Sequence, residues 1–185
     1  MIRVFVGFFT TKRIQEAVEK LQSQSERFIK GKWVEPQNFH MTFQFIGEVP
    51  QERLTDLLKN LQEIAQNAKA VRIKYRGLGV FPNLDRARVL WIGVSDGHRQ
   101  LIDLAKSIVR ANRQIGIREE GKPFHPHVTI CRIKEFDKRA LKDLLRQHEN
   151  TFFGEDLVDK IALVKSSLTA VGPIYTVIEE FYFHG

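Results

Sequence analysis

The chain has 185 residues, 43% of them hydrophobic, with 29 Lys+Arg against 22 Asp+Glu and a formal net charge of +7. A chain of this length buries roughly 70% of the surface its unfolded state exposes and needs no covalent staples. The single cysteine, Cys131, excludes an internal disulfide framework and a multi-cysteine zinc site and fits a reducing compartment.

Strand character opens the chain at Arg3–Phe9, and an amphipathic helix is predicted from Thr11 to Ile29, with Ile14, Val18, Leu21 and Phe28 on one face and Thr10 or Thr11 as its cap. A strand follows at Phe39–Ile46. After Pro50, Leu54, Leu57, Leu58, Leu61, Ile64, Ala65 and Ala68 repeat at threes and fours, the pattern of a second helix. Strands at Val71–Phe81 and Arg88–Val94 flank a turn at Pro82-Asn83, and a third helix spans His98 to Asn112. Strand character returns at Phe124–Ile133, and Asp137 caps a fourth helix containing Leu141, Leu144 and Leu145. Strands at Lys160–Leu168 and Tyr175–Phe183 close the chain, joined by a Gly172-Pro173 turn. Helices and strands mix without strict βαβ alternation, so the fold class is α+β with antiparallel pairing.

No apolar run reaches the ~18 residues that span a bilayer, and the segment before Lys12 and Arg13 is too short for a signal peptide. A cytoplasmic protein with no membrane partner is expected. Nothing in the sequence marks a dimer surface, and a monomer is expected. The charge is uneven: residues 99–146 carry 12 basic and 6 acidic residues, whereas residues 147–185 carry 2 and 6. A basic excess speeds encounter with polyanions but names no chemistry, and a solvated surface explains it equally.

Two strands share one short pattern, Phe39-His40-Met41-Thr42-Phe43 and Pro126-His127-Val128-Thr129-Ile130, with the histidines 87 positions apart. Such an echo suggests a duplicated unit. Strand residues alternate faces, so Phe39, Met41, Phe43 and Phe45 face the core while His40, Thr42 and Gln44 point the other way. Likewise Val128 and Ile130 face the core, and His125, His127 and Thr129 point away from it. Histidine titrates near neutrality, so two facing one cleft can serve as acid and base on either side of a reacting centre. A threonine hydroxyl beside each can donate to an anionic oxygen. Two His-x-Thr strands thus supply what displacement at phosphorus asks for, symmetrically in the two histidines.

Other readings compete. A single strand histidine is commonly structural. His125 and His127 can instead ligate a metal, with Cys131 on the same nominal face. His98, His148 and His184 read as structural or solvated.

The segments Trp33-Val34-Glu35-Pro36-Gln37-Asn38-Phe39-His40-Met41-Thr42-Phe43-Gln44-Phe45-Ile46-Gly47-Glu48 and Phe124-His125-Pro126-His127-Val128-Thr129-Ile130-Cys131-Arg132 resemble the paired His-x-Thr-x motifs of the 2′-5′ RNA ligase-like family, RNA 2′,3′-cyclic phosphodiesterases of the two-histidine phosphoesterase superfamily. The opening Arg3-Val4-Phe5-Val6-Gly7, Gly77-Leu78-Gly79-Val80-Phe81-Pro82 and Arg88-Val89-Leu90-Trp91 are similar too. The resemblance implies one bilobal α+β domain over residues 1–185, with two antiparallel sheets related by a pseudo-two-fold, facing a central cleft, and helices outside. It implies hydrolysis of a terminal 2′,3′-cyclic phosphate of RNA, tRNA fragments among the candidates, to a 2′-phosphate without metal or cofactor. By motif position His40 is the proton donor, His127 the proton acceptor, and Thr42 and Thr129 grip the phosphate. Arg132, Phe9 and His125 are candidate substrate contacts, although strict alternation puts Arg132 on the core side unless the strand bends. Phe9 and Phe43 are candidate base-stacking rings, with Phe43 assigned to the core by alternation. The alternatives are 2′-5′ ligation through the reverse reaction and an RNA- or nucleotide-binding module without turnover.

Overall fold

The computed structural model describes residues 1–185. Along it run β1 (Ile2–Phe9), α1 (Gln15–Ser25), β2 (Ile29–Trp33), β3 (His40–Val49), α2 (Leu54–Asn67), β4 (Val71–Phe81), β5 (Val89–Val94), α3 (His98–Arg113), β6 (His127–Phe136), α4 (Lys138–Gln147), β7 (Phe152–Val158), β8 (Lys160–Thr169) and β9 (Gly172–Tyr182). All strand pairing is antiparallel, in one sheet ordered β3-β1-β8-β9 and another ordered β2-β6-β5-β4-β7. The α+β class and the two antiparallel sheets are as expected.

The sheets interleave the two halves of the chain. The first sheet begins with β3 and β1 and is completed by β8 and β9; the second has β6 and β5 in the matching positions, completed by β4 and β7, with β2 as an extra edge. The first half therefore lends β4 to the second sheet, and the second half returns β8 to the first. Neither half can satisfy its strand hydrogen bonds alone.

Apolar faces at three-and-four spacing seat the helices. Leu57, Leu61 and Ala65 of α2 are buried, as are Leu101, Leu104, Ala105 and Ile108 of α3. Helix α2 packs on α3, β8 and β9, while α3 also touches β3 and β4, so the helix layer joins both sheets. One core of 36 buried residues runs through both sheets and the helices. The Asp137 carboxylate caps α4 by accepting from the Ala140 N–H at 2.9 Å.

Four local expectations need correction. Helix α1 stops at Ser25, and Ile29 starts β2 instead of ending the helix. No threonine hydroxyl caps its entry; the Thr11 backbone N–H instead donates to the Asp156 carboxylate at 3.1 Å. The β8–β9 turn is Ala170-Val171, and Gly172 and Pro173 already belong to β9, paired with Thr169 and Leu168. Strands β2 and β7 are absent from the sequence reading. Both are edge strands, and β2 (Ile-Lys-Gly-Lys-Trp) offers only two apolar side chains to periodicity.

Gln44, expected to point away from the core with His40 and Thr42, is 5% exposed and turned toward the helices. Its Oε1 accepts from Asn112 Nδ2 at 2.8 Å, and Asn112 Oδ1 accepts from Asn60 Nδ2 at 3.1 Å. The replacement Asn112→Ala strands the buried Gln44 amide and should cost about 1–3 kcal/mol. Urea unfolding of the variant measures this; an unchanged midpoint would show that the amide chain adds nothing to stability.

Candidate active site

Strands β3 and β6 share an extra residue at the same place, directly after the motif threonine. Against β1, Gln44 pairs with Val6 and Thr42 with Gly7, leaving Phe43 as the extra residue. Against β5, Cys131 pairs with Leu90 and Thr129 with Trp91, leaving Ile130. Phe43 and Ile130 both directly follow a motif threonine. A bulge lets two consecutive residues face one side and reverses the alternation beyond it. Phe43 and Gln44 are accordingly both buried, as are Ile130 and Cys131. Before each bulge, His40 with Thr42 and His127 with Thr129 stand on the faces away from the core, half-buried.

Beyond the bulges the next side chains return to that outward face. Phe45, expected on the core face, instead packs against the small cluster of Phe5, Ala162 and Val164, together with Phe9 and Tyr175, because the bulge at Phe43 reverses its side. Arg132 is exposed rather than on the core side, so the bulge supplies the bend that strict alternation lacked. Its guanidinium sits close enough to depress the pKa of His40 on the opposite sheet, as does His127. The two faces therefore meet across a cleft, with His40, His127 and Arg132 within electrostatic reach of one another.

Cys131 moves the opposite way. Expected on the face of His125 and His127, it is fully buried in the core, and burial pushes its thiol up to about 12. The metal alternative thereby loses its third donor, and no group of three or more His, Cys, Asp or Glu side chains converges at ligating distance.

Both imidazoles are held by the backbone just before them. His40 Nδ1 lies 2.6 Å from the Asn38 carbonyl and His127 Nδ1 lies 2.5 Å from the His125 carbonyl. A carbonyl only accepts, so each Nδ1 carries the proton and each Nε2 is left for the cleft. Burial is the main reason both pKa values fall below 6.5, partly offset by these backbone bonds. Arg132 and His127 lower His40 further, and His125 lowers His127. The resting site therefore holds neutral imidazoles, each with a free acceptor nitrogen.

Aromatic rings wall each histidine. Around His40 are Phe5 at 4.9 Å, Tyr175 at 5.1 Å and Phe9 at 5.5 Å between ring centres. Around His127 are Phe81 at 5.1 Å, Trp91 at 6.0 Å and His125 at 6.0 Å. Phe9 and His125 thus stand beside the site. Phe43 is a core residue against Phe124 and does not reach the cleft. Gly79 lets Trp91 lie flat, since a Cβ there would collide with the indole. Phe5, Phe81, Trp91 and Tyr175 have no site role in the sequence reading. Phe5 was legible, being four residues before Phe9 on an unbulged strand. Tyr175 was not, because β9 reaches His40 only through pairing with distant β8.

Two stretches of the chain, residues 9–91 and 92–175, each match the family model described as LigT-like phosphoesterase. The chain belongs to the LigT-like phosphoesterase family. Each match carries one His-x-Thr strand, which bears out the duplication suggested by the echo. Within the family, the chain is 54% identical over 186 residues to an RNA 2′,3′-cyclic phosphodiesterase of Aquifex aeolicus, covering 100% of this chain and 99% of the relative. It is 36% identical over 182 residues to a protein of the same name from Methanocaldococcus jannaschii, covering 97% and 100%. A crystal structure from Thermus thermophilus shares the fold with a TM-score of 0.85 at 30% identity, covering 100% of this chain and 99% of that one.

The bulge makes a prediction for Cys131. A thiol reagent at pH 8 should leave it unmodified in the native protein and label it fully in denaturant. Rapid native labelling would place the thiol on the open face beside His127 and sink the face reversal.

Proposed function

We propose that the protein hydrolyses the terminal 2′,3′-cyclic phosphate of RNA to a 2′-phosphate by metal-independent acid–base catalysis between His40 and His127. The observation that carries this is the pair of imidazoles on facing sheets, each locked through Nδ1 with Nε2 free. The family and the shared name of the Aquifex aeolicus and Methanocaldococcus jannaschii relatives support it. We take the strand exchange to mean that residues 1–185 act as one bilobal unit, since each sheet needs strands from both halves.

The cyclic phosphate binds between the imidazoles, with the Thr42 and Thr129 hydroxyls donating to its non-bridging oxygens. His127 Nε2 takes a proton from water as the water oxygen bonds to phosphorus. The P–O3′ bond breaks on the opposite side, and protonated His40 Nε2 gives its proton to the departing 3′-oxygen. A 2′-phosphate and a free 3′-hydroxyl result, and solvent returns the two histidines to their starting protonation. Arg132 offsets charge on the phosphoryl oxygens. Phe9, Tyr175, Phe81 and Trp91 offer ring surface to nucleobases, whose stacking tolerates any base.

His40→Ala and His127→Ala should each lower kcat/KM on RNA ending in a 2′,3′-cyclic phosphate about 10²–10⁴-fold, assayed in EDTA. Thr42→Ala and Thr129→Ala each remove a hydrogen bond to a charged group and should cost about 1.5–3 kcal/mol of transition-state binding. Full hydrolysis by either histidine variant would overturn the assignment, and a wild type that binds such RNA without opening it would make this a binding module.

The lowered pKa values set the pH profile. Burial favours the neutral imidazole, so the free enzyme gains its single catalytic proton only as pH drops below 6.5. The alkaline limb of kcat/KM should therefore lie below 6.5, because that profile reports the free enzyme. A bound phosphate anion stabilises imidazolium, so the limb in kcat should lie at higher pH. Coincident limbs, both above neutrality, would show that the resting imidazoles are not depressed.

A further inference from the structure

Resting on the proposed function, a feature of the cleft rim points to the polymer rather than to its terminal nucleotide. Three cations near the cleft, Arg3, Arg132 and Lys32, have no carboxylate partner: none of the four ion pairs in the molecule includes them. Arg3 shares the outward face of β1 with Phe5, Gly7 and Phe9 by alternation, and its guanidinium lies 4.8 Å over the Phe45 ring with Nε buried and unpartnered. Glu48 pairs with Arg3 in register but forms no ion pair with it. Arg132 comes from the facing sheet, and both guanidiniums are close enough to Tyr175 to favour its ionised form, although burial dominates and raises its pKa. Lys32, on β2, is in register with Arg132 and therefore shares its face.

The Lys32 side chain crosses between the sheets. Its ammonium donates to the carbonyl of Val171 at the tip of the β8–β9 hairpin, a single neutral partner for an exposed cation. The tip itself is open, with Val171 84% exposed and Leu168 71% exposed. Gly172 lies three residues from Tyr175 along β9, about 10 Å of strand. Tyr175 touches the reacting histidine, with 5.1 Å between its ring and that of His40. Lys32 is therefore beyond the reacting phosphate, within reach of a phosphate that precedes it along the strand.

We propose that Arg3, Arg132 and Lys32 hold the phosphodiester backbone of a single-stranded RNA 3′ end, and that Lys32 exchanges the Val171 carbonyl for a phosphate oxygen when that strand enters. The exchange trades a neutral hydrogen-bond partner for an anionic one, and charge-assisted bonds are about twice as strong. A cyclic mononucleotide has no phosphate to offer Lys32, so this residue sets the preference for polymer over mononucleotide.

Lys32→Gln tests this beside Lys142→Gln, which removes the same charge from the exposed outer face of α4. Two readings are taken: anisotropy of a fluorescent RNA decamer ending in a 2′-phosphate across a salt series, and kcat/KM for a decamer and a nucleoside ending in a 2′,3′-cyclic phosphate. Lys32→Gln should weaken decamer binding several-fold, reduce the slope of log affinity on log salt by about 0.7, and shrink the decamer-over-nucleoside ratio. Decamer affinity and salt slope equal to those of Lys142→Gln, or equal losses on both substrates, would overturn the Lys32 contact. A wild type that binds the decamer and opens neither cyclic phosphate would overturn the catalytic reading instead, with the salt slopes still deciding the role of Lys32.

Discussion

In each sheet, the residue directly after the motif threonine is accommodated as a bulge, and the site depends on it. A strand with strict alternation offers one face to the core and one to the cleft for its whole length. Here the face reverses directly after the motif: His and Thr point outward, two residues in succession then point inward, and the following side chain points outward again. Without the reversal Gln44 would leave its amide partner in the helix layer and Cys131 would line the cleft. Arg132 would be a buried cation without a counter-charge, which costs several kcal/mol. The bulge after Thr129 thus places a cation beside the imidazoles, and both motif bulges keep the apolar layer under the helices intact.

The exchange of β4 and β8 couples this local device to the whole molecule. Because each sheet is completed by strands from the other half and α2 and α3 form one helix layer over both sheets, the positions of His40 and His127 are tied to the whole molecule. Two imidazoles proposed to act on opposite sides of one phosphorus tolerate little relative movement, and this topology restrains it.

The electrostatics follow from the same arrangement. Carbonyls at Asn38 and His125 hold each ring at Nδ1, aromatic walls remove water from around it, and Arg132 reaches across to the first histidine. Every one of these influences except the carbonyls favours the neutral ring, so the site rests as two acceptors and waits for an anion.

Much was legible in the sequence because two signals are local. Period-two alternation gives the partners that His40 and His127 bring with them, and three-and-four spacing gives the four helices, each readable from a dozen residues. Resemblance added the roles and the cleft. What alternation could not show is where it breaks, since a bulge is defined only by the partner strand: Thr42 opposite Gly7 and Thr129 opposite Trp91 are facts of pairing. For that reason strict alternation puts Gln44, Phe45, Cys131 and Arg132 on the wrong faces, while Phe43, on the inner side of its bulge, falls on the right one. Strands β2 and β7 escape a sequence reading because Ile-Lys-Gly-Lys-Trp offers only two apolar side chains and Phe-Phe-Gly-Glu-Asp-Leu-Val does not alternate, and Lys32 escapes with β2. The sequence by itself determined which residues can do acid–base chemistry; the tertiary structure alone decided which of them face one another, because faces and neighbours in a sheet are set by strands far apart in the chain.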